Sequence, residues 1–420
     1  MPPVKNPPLD VTRARARRAW ALTAWANHGF ATTVLVGFFP IFLGKYWAAD
    51  LPATRSTLYL GLANSSASLV VMLLAPWLGA LADRRGQKKL WLGIFTCIGV
   101  AATAMLAIIG RGDWQWALPV FAVASVGFFA GSSFQDALIV QVATPAEAHR
   151  VSAYGFAAGY LGGGLLLLLN VLLALHPSWF GLRDSVAATK LAFLDVALWW
   201  ALFTVPLFRR VPEAPPTAEA PGMAELWSSI RKVLSDRTVR GFLFAYWLYI
   251  DGIGTLQQMA VDFGSKLGLP TAALIQALLL VQFISFPSAL VFGKLGDRIG
   301  ARRAILIGLA VFVFVSIWAL FLQFTWQFYT MAVLVGTVQG GVQSLSRSLY
   351  SHLIPRERSG EYFGFYNMLG KFAVVLGPML MGWAALFLHD QRASLMVLLV
   401  LFVPGALLLM RVPARASAGG

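Results

Sequence analysis

Among the ionisable side chains inside long apolar runs of this sequence, Asp136, Asp251, Arg347 and Lys371 stand out, while Asp195 and Asp262 read as structural. Each costs about 2.5–3.5 kcal/mol to place in hydrocarbon on insertion scales, so each needs a partner or a task. Two acids and two bases suit a molecule that carries both an ammonium and a carboxylate, and an intramembrane acid also suits proton relay. Asp251 reads as a site for a substrate ammonium or a proton, with an ion pair to Lys371 as the alternative. Lys371 either binds an anionic group of a solute or closes that pair. Arg347 either reaches the membrane interface or pairs with an acid such as Glu361. Asp136 is a second candidate proton carrier. Asn27, His28, Gln343 and Asn367 lie in similar runs and add uncharged hydrogen-bonding groups, as do Asn64, Gln282 and Gln339. The chain has no phosphate-binding glycine loop, no His-x-x-x-His pair and no Gly-x-Ser-x-Gly elbow. No catalytic residue, metal or cofactor is therefore expected.

The elements that must position these groups are membrane helices. Of 420 residues, 58% are hydrophobic and 12% charged, and mean hydropathy is +0.70. Apolar runs of bilayer-spanning length recur at 19–44, 57–81, 88–109, 116–142, 149–174, 187–208, 239–264, 271–294, 301–323, 326–351, 360–387 and 393–411. Runs of that length exclude a membrane β-barrel, whose strands are about half as long. Residues 1–18 and 413–420 read as polar tails, and 209–236 as the one real linker. Within that linker Leu226, Trp227, Ile230, Val233 and Leu234 follow helical spacing beside Arg231 and Lys232, which predicts an amphipathic helix on the membrane surface. The linker divides the chain into six-helix bundles over 19–208 and 237–412.

A formal net charge of +15 would suit a nucleic-acid partner if it were clustered on one soluble face. It is not. With the N-terminus inside, only Lys45, Arg55, Arg111, Arg183, Lys190, Lys266 and Arg392 fall on the outer side, and Arg347 and Lys371 lie within spans. The bias places both termini in the cytosol. The single Cys97 lies in the third span, which leaves no intrachain disulfide. The first span is too long for a cleaved signal.

One stretch occurs twice. Gly79-Ala-Leu-Ala-Asp83-Arg84-Arg85-Gly86, followed by Lys88 and Lys89, reappears as Gly293-Lys-Leu-Gly-Asp297-Arg298-Ile-Gly300, followed by Arg302 and Arg303. Each copy links two spans. Its glycines allow a tight turn, and its Asp is placed to pair with an Arg of its own loop and to face a helix N-terminus. The halves repeat elsewhere: Val126-Gly127-x-x-x-Gly131 parallels Val335-Gly336-x-x-x-Gly340, and Tyr154-Gly155-Phe156 parallels Phe363-Gly364-Phe365. Duplicated halves predict a site at their interface near mid-membrane, lined by spans 1, 4, 7 and 10 with 2, 5, 8 and 11 at the seam.

The duplicated loop resembles the signature between helices 2 and 3 of major facilitator superfamily transporters. Further stretches resemble the vacuole-effluxer-like branch: Trp25-Ala-Asn27, the run from Val151 to Gly164, Tyr249-Ile-Asp251-Gly252, Gln343-Ser-Leu-Ser346-Arg347, Gly364-Phe365-Tyr366-Asn367 and Gly370-Lys371-Phe372. The likeness spans both halves. It implies an all-α integral membrane protein of twelve helices in two pseudo-symmetric bundles, and a relation to exporters of vacuolar amino acids. Two positions depart from the family pattern. Ala24 stands where an Asp usually precedes Trp25, and Gln135-Asp136 replaces an Asn-rich stretch, so one carboxylate is lost and another gained.

The expected function is secondary transport of a small polar or zwitterionic solute by alternating access, with protons as a candidate coupling ion. The alternatives are efflux of amphipathic compounds and lipid flipping. Expected partners are the solute and membrane lipids, with no nucleic acid, and the expected assembly is a monomer in the bacterial cytoplasmic membrane. Gly79, Asp83, Arg84, Gly86, Gly293, Asp297, Arg298 and Gly300 are expected to set conformational balance and not to touch solute.

Overall fold

The computed structural model describes residues 9–216, 235–266, 268–370, 377, 380 and 396–412. Lys371, Leu226, Trp227, Ile230, Arg231, Lys232, Val233 and Leu234 lie outside the described residues, and so does most of the expected eleventh span.

The described residues form helices joined by short turns, and no strand occurs among them. We number the long helices α1 (Leu9–Gly29), α2 (Ala53–Arg85), α3 (Lys88–Met105), α4 (Trp114–Ala137), α5 (Ala148–Leu175) and α6 (Ser185–Arg210). They continue as α7 (Arg237–Lys266), α8 (Thr271–Ile299), α9 (Ala301–Trp318), α10 (Thr325–Leu353), α11 (359–370) and α12 (Met396–Arg411). Among the described residues, eight helices are long and apolar enough to cross a membrane. Helices α7 and α10 match them in length but carry more polar side chains, as expected of helices that face a cavity.

Large apolar side chains remain exposed around the outside, among them Leu73, Leu198, Val291 and Val400. On a water-soluble protein such a belt would be an aggregation hazard; around a helical bundle of this length it is a lipid-facing surface. The interior is held by close helix approach. Gly155, Gly159 and Gly162 of α5 form a face against Trp20, His28 and Trp25 of α1. A Cβ on Gly159 would come within 2.4 Å of the His28 ring, so the side chain of His28 occupies space that only glycine leaves open.

Both loop motifs end their helices at a glycine of positive φ. Helix α2 stops at Gly86 with φ 62°, and α8 stops at Gly300 with φ 85°. These are left-handed values that favour glycine, so the last motif residue turns the chain into the next helix. Both motifs lie on one face of the bundle, referred to below as the motif face.

The first span does not continue as a regular helix. From Phe30 to Phe38, and again from Leu43 to Trp47, the backbone is π-helical, with one α-helical turn at Phe39–Phe42 between. Thr32 Oγ1 donates to its own helix at His28 O (2.8 Å) and across to Gly163 O of α5 (3.2 Å). Widened turns of this kind recur at functional sites because they redirect side chains.

Candidate functional site

A cavity of about 440 Å³ lies between the first and second halves of the chain. Its walls come from α1, α4 and α5 on one side and α7, α8, α10 and α11 on the other. Asn27, His28, Asp136, Gln343, Arg347 and Asn367 all line it.

The charged end is built around Arg347. Its Nη1 donates to Asp136 Oδ1 at 2.8 Å, its Nε to Ser152 Oγ at 3.0 Å and its Nη2 to Ser152 O at 2.9 Å. The guanidinium stacks over the rings of Phe156 (4.4 Å) and Trp20 (4.7 Å). A planar cation held on three edges and two faces is fixed in direction, which a lysine could not reproduce. The second oxygen of Asp136 accepts from Asn367 Nδ2 at 3.2 Å. Nearby, Gln135 Oε1 accepts from Asn27 Nδ2 (2.6 Å) and the Gln135 carbonyl from Trp20 Nε1 (2.7 Å), which locks α4 against α1.

Uncharged groups continue along the wall. His28 Nδ1 donates to Ala24 O at 3.1 Å, which fixes the ring against its own helix. Gln339 Nε2 donates to Tyr160 Oη (3.0 Å), which in turn donates to Gln343 Oε1 (2.7 Å). Towards the far end the lining turns apolar, with Val36, Leu274, Leu278, Phe328 and Met331.

One expected pairing and one expected position differ from what is observed. Glu361 does not meet Arg347; it is bonded by Arg358 three residues away, at 2.8 and 2.9 Å. Arg347 takes Asp136 from the other half instead. Asp251 does not line the cavity. It is buried inside the second half, where Oδ1 accepts from Gly377 N–H (3.0 Å) and from Thr255 Oγ1 (3.4 Å). Of the four charges expected to converge, Asp136 and Arg347 line the cavity and Asp251 does not, while Lys371 lies outside the described residues. Ser152, Phe156 and Trp20 were not anticipated as the cradle of Arg347. The available signal was Gly155, whose missing side chain makes room for both Trp20 and Arg347 Nη2.

The motif face is closed beneath Arg347. Asp83 accepts from the backbone N–H of Gly360 (2.9 Å) and Glu361 (2.8 Å), at the N-terminal end of α11, and pairs with Lys88 Nζ at 2.7 Å. The helix N-terminus is the predicted contact; the basic partner is Lys88, where an Arg of the loop was expected. Lys88 also donates to Ser359 Oγ at 3.0 Å. In the second motif Asp297 pairs with Arg150 of α5, again not with its own loop. His149 Nδ1 meets Ser348 Oγ at 2.8 Å, and Ser152 Oγ donates to Ser344 O at 2.7 Å, so α5 is bonded to α10 over about one turn.

The family model described as "Vacuole effluxer Atg22 like" matches residues 141–418. The uncharacterized MFS-type transporter YxiO of Bacillus subtilis (strain 168) is 34% identical over 411 residues, which cover 96% of each chain. The chain belongs to the vacuole effluxer Atg22-like family. It is a transporter of the major facilitator type and an integral membrane protein, not an enzyme. Among fungal relatives, autophagy-related protein 22 of Yarrowia lipolytica is 28% identical over 329 residues. That match covers 68% of this chain and 54% of the fungal protein, so the Atg22-like transporter spans about half of that longer relative. Its fold is similar to that of the human organic anion transporter MFSD10, with a TM-score of 0.77 at 17% identity over 96% of this chain and 100% of the other. It is also similar to the proton:xylose symporter XylE, with a TM-score of 0.70 at 14% identity over 96% and 95%.

Proposed function

We propose that this transporter carries a small zwitterionic, amino-acid-like solute by alternating access, and that Asp136 and Arg347 receive its two charges. The observation that carries the reading is the ion pair itself: an acid and a base from opposite halves, side by side on the wall of one cavity. A solute carboxylate competes with Asp136 for the fork of Arg347, and a solute ammonium takes the freed carboxylate. Both charges are then neutralised away from water, where pairing matters most.

Closure at the motif face by Asp83, Lys88, Arg150 and Asp297 supports rocking of the two halves about this site. With the motif face in the cytosol, the described state is closed inward and the cavity is reached from outside. Protons supply the driving force for this cycle. The bacterial relative supports a place in the cytoplasmic membrane.

A second reading, efflux of amphipathic compounds or lipid flipping, is favoured by the apolar far wall around Phe328 and Met331. Counterflow of labelled amino acids in proteoliposomes separates the two. The zwitterion reading expects exchange that Arg347→Ala abolishes; the amphipath reading expects dye or lipid movement that survives the same change.

A further inference from the structure

Two amides on the cavity wall have work left to do. Gln282 of α8 and Gln339 of α10 both line the cavity, and both are more than nine-tenths buried. Gln282 Nε2 and Gln339 Oε1 find no hydrogen-bond partner among the described residues. A buried polar atom without a partner costs about 1–3 kcal/mol, so one donor and one acceptor left open on the same wall need an explanation.

Their chemical sense is set by their neighbours. Gln339 Nε2 donates to Tyr160 Oη, and Tyr160 Oη donates in turn to Gln343 Oε1, so the chain of bonds leaves the Gln339 oxygen open as an acceptor. Gln282 stands opposite Gly164, where a Cβ would come within 3.2 Å of Gln282 Cβ; the glycine lets α8 approach α5 and bring the amide to the wall.

We infer that Gln282 and Gln339 form a second, uncharged subsite that reads a carboxamide or peptide amide of the solute. The inference rests on the zwitterion reading above and adds to it the class of solute. An amide has a carbonyl for Gln282 and an N–H for Gln339. A carboxylate would leave Gln339 unsatisfied, and an ammonium would leave Gln282 so. Gln339 precedes Arg347 by eight residues, about 12 Å along the helix. Arg347 leans back toward it, because helical side chains tilt to the N-terminus. A solute held at Arg347 must therefore extend along the cavity to reach the amides. Alanine is too short, whereas glutamine, through its side chain, and dialanine, through its backbone, both offer an amide further along.

The test is calorimetric titration of the purified full chain with alanine, glutamine, glutamate and dialanine. Glutamine or dialanine should bind about tenfold tighter than alanine, and glutamate, isosteric with glutamine but without the amide donor, should lose that gain. A gain by glutamine alone identifies a side-chain amide, and a gain by dialanine alone a backbone amide; either supports the subsite. Gln282→Met and Gln339→Met should each bring the affinity ratio of the favoured amide to alanine close to one. Equal binding of alanine, glutamine and dialanine by the wild-type chain, or a ratio unchanged in both variants, overturns the subsite and leaves the zwitterion site standing. Failure of all four ligands to bind overturns the zwitterion reading and this inference with it.

Discussion

Arg347 and Asp136 are 211 positions apart and 2.8 Å apart in space. The repeat between the halves is 209 residues, as read from Val126-Gly127 against Val335-Gly336, so the two side chains stand at nearly equivalent places on α4 and α10. The pair therefore straddles the pseudo-symmetry between the halves. Any motion of one half against the other changes its geometry, which ties the charge state of the site to conformation.

The two members should fail in different ways. Asp136→Asn removes the carboxylate that receives the solute ammonium but leaves Arg347 held by Ser152, Trp20 and Phe156. Counterflow of zwitterionic solutes should fall tenfold or more, whereas binding of N-acetylated solutes, which need only Arg347, should change little. Arg347→Lys keeps a charge but loses the fork and the ring stacking, and exchange itself should fall tenfold or more.

Asp83→Asn should change conformational balance and not solute contact. Side-chain exposure is 5% for Asp83 and 2% for Lys88, so the variant leaves a buried cation without its counter-charge. Breaking one side of such a pair costs about 3–5 kcal/mol, and here the cost falls on the state closed at the motif face. Spin-label distances across that face should lengthen and transport should fall. Affinity in a cross-linked, closed protein should stay within about twofold.

The second motif should matter less. Arg150 is 71% exposed and Asp297 17%, and a solvated pair is worth at most about 1 kcal/mol. Asp297→Asn should lower transport less than Asp83→Asn, and raising salt from 0.1 to about 1 M should mimic the loss, because exposed charges are then screened within a few ångströms.

Packing between α3 and α4 gives a stability prediction. A Cβ on Gly127 would stand 2.6 Å from the backbone of Gly99. Gly127→Val should lower thermal stability in detergent by about 1–3 kcal/mol, the usual cost of overpacking. Gly112→Ala, at an open turn, tests backbone strain alone, since its φ is 86° and nothing lies within 4 Å.

Much of this was legible from the chain alone, for identifiable reasons. Bilayer length shows in apolar runs because every spanning residue must satisfy the same solvent. The Asp83 contact with a helix N-terminus follows from charge and glycine placement in a short motif. Long-range pairings did not follow: nothing local to Arg347 distinguishes Asp136 from Glu361, and the choice is made by which helix faces which. Asp251 looked like a cavity residue because depth in the membrane is readable from position, whereas the direction a side chain faces depends on packing. The π-helical turns after Gly29 were also hidden, since Phe30–Phe38 contains no proline and their register depends on Thr32 meeting Gly163 across a helix interface.

The most direct test of the central claim compares alanine with two relatives that each lack one charge: alaninamide, without the carboxylate, and N-acetylalanine, without the ammonium. Equilibrium binding to the purified wild-type transporter should be measurable for alanine and weaker by tenfold or more for both relatives. Equal binding of all three, or binding of none of them beside tight binding of an amphipathic cation, would contradict a zwitterion held between Asp136 and Arg347.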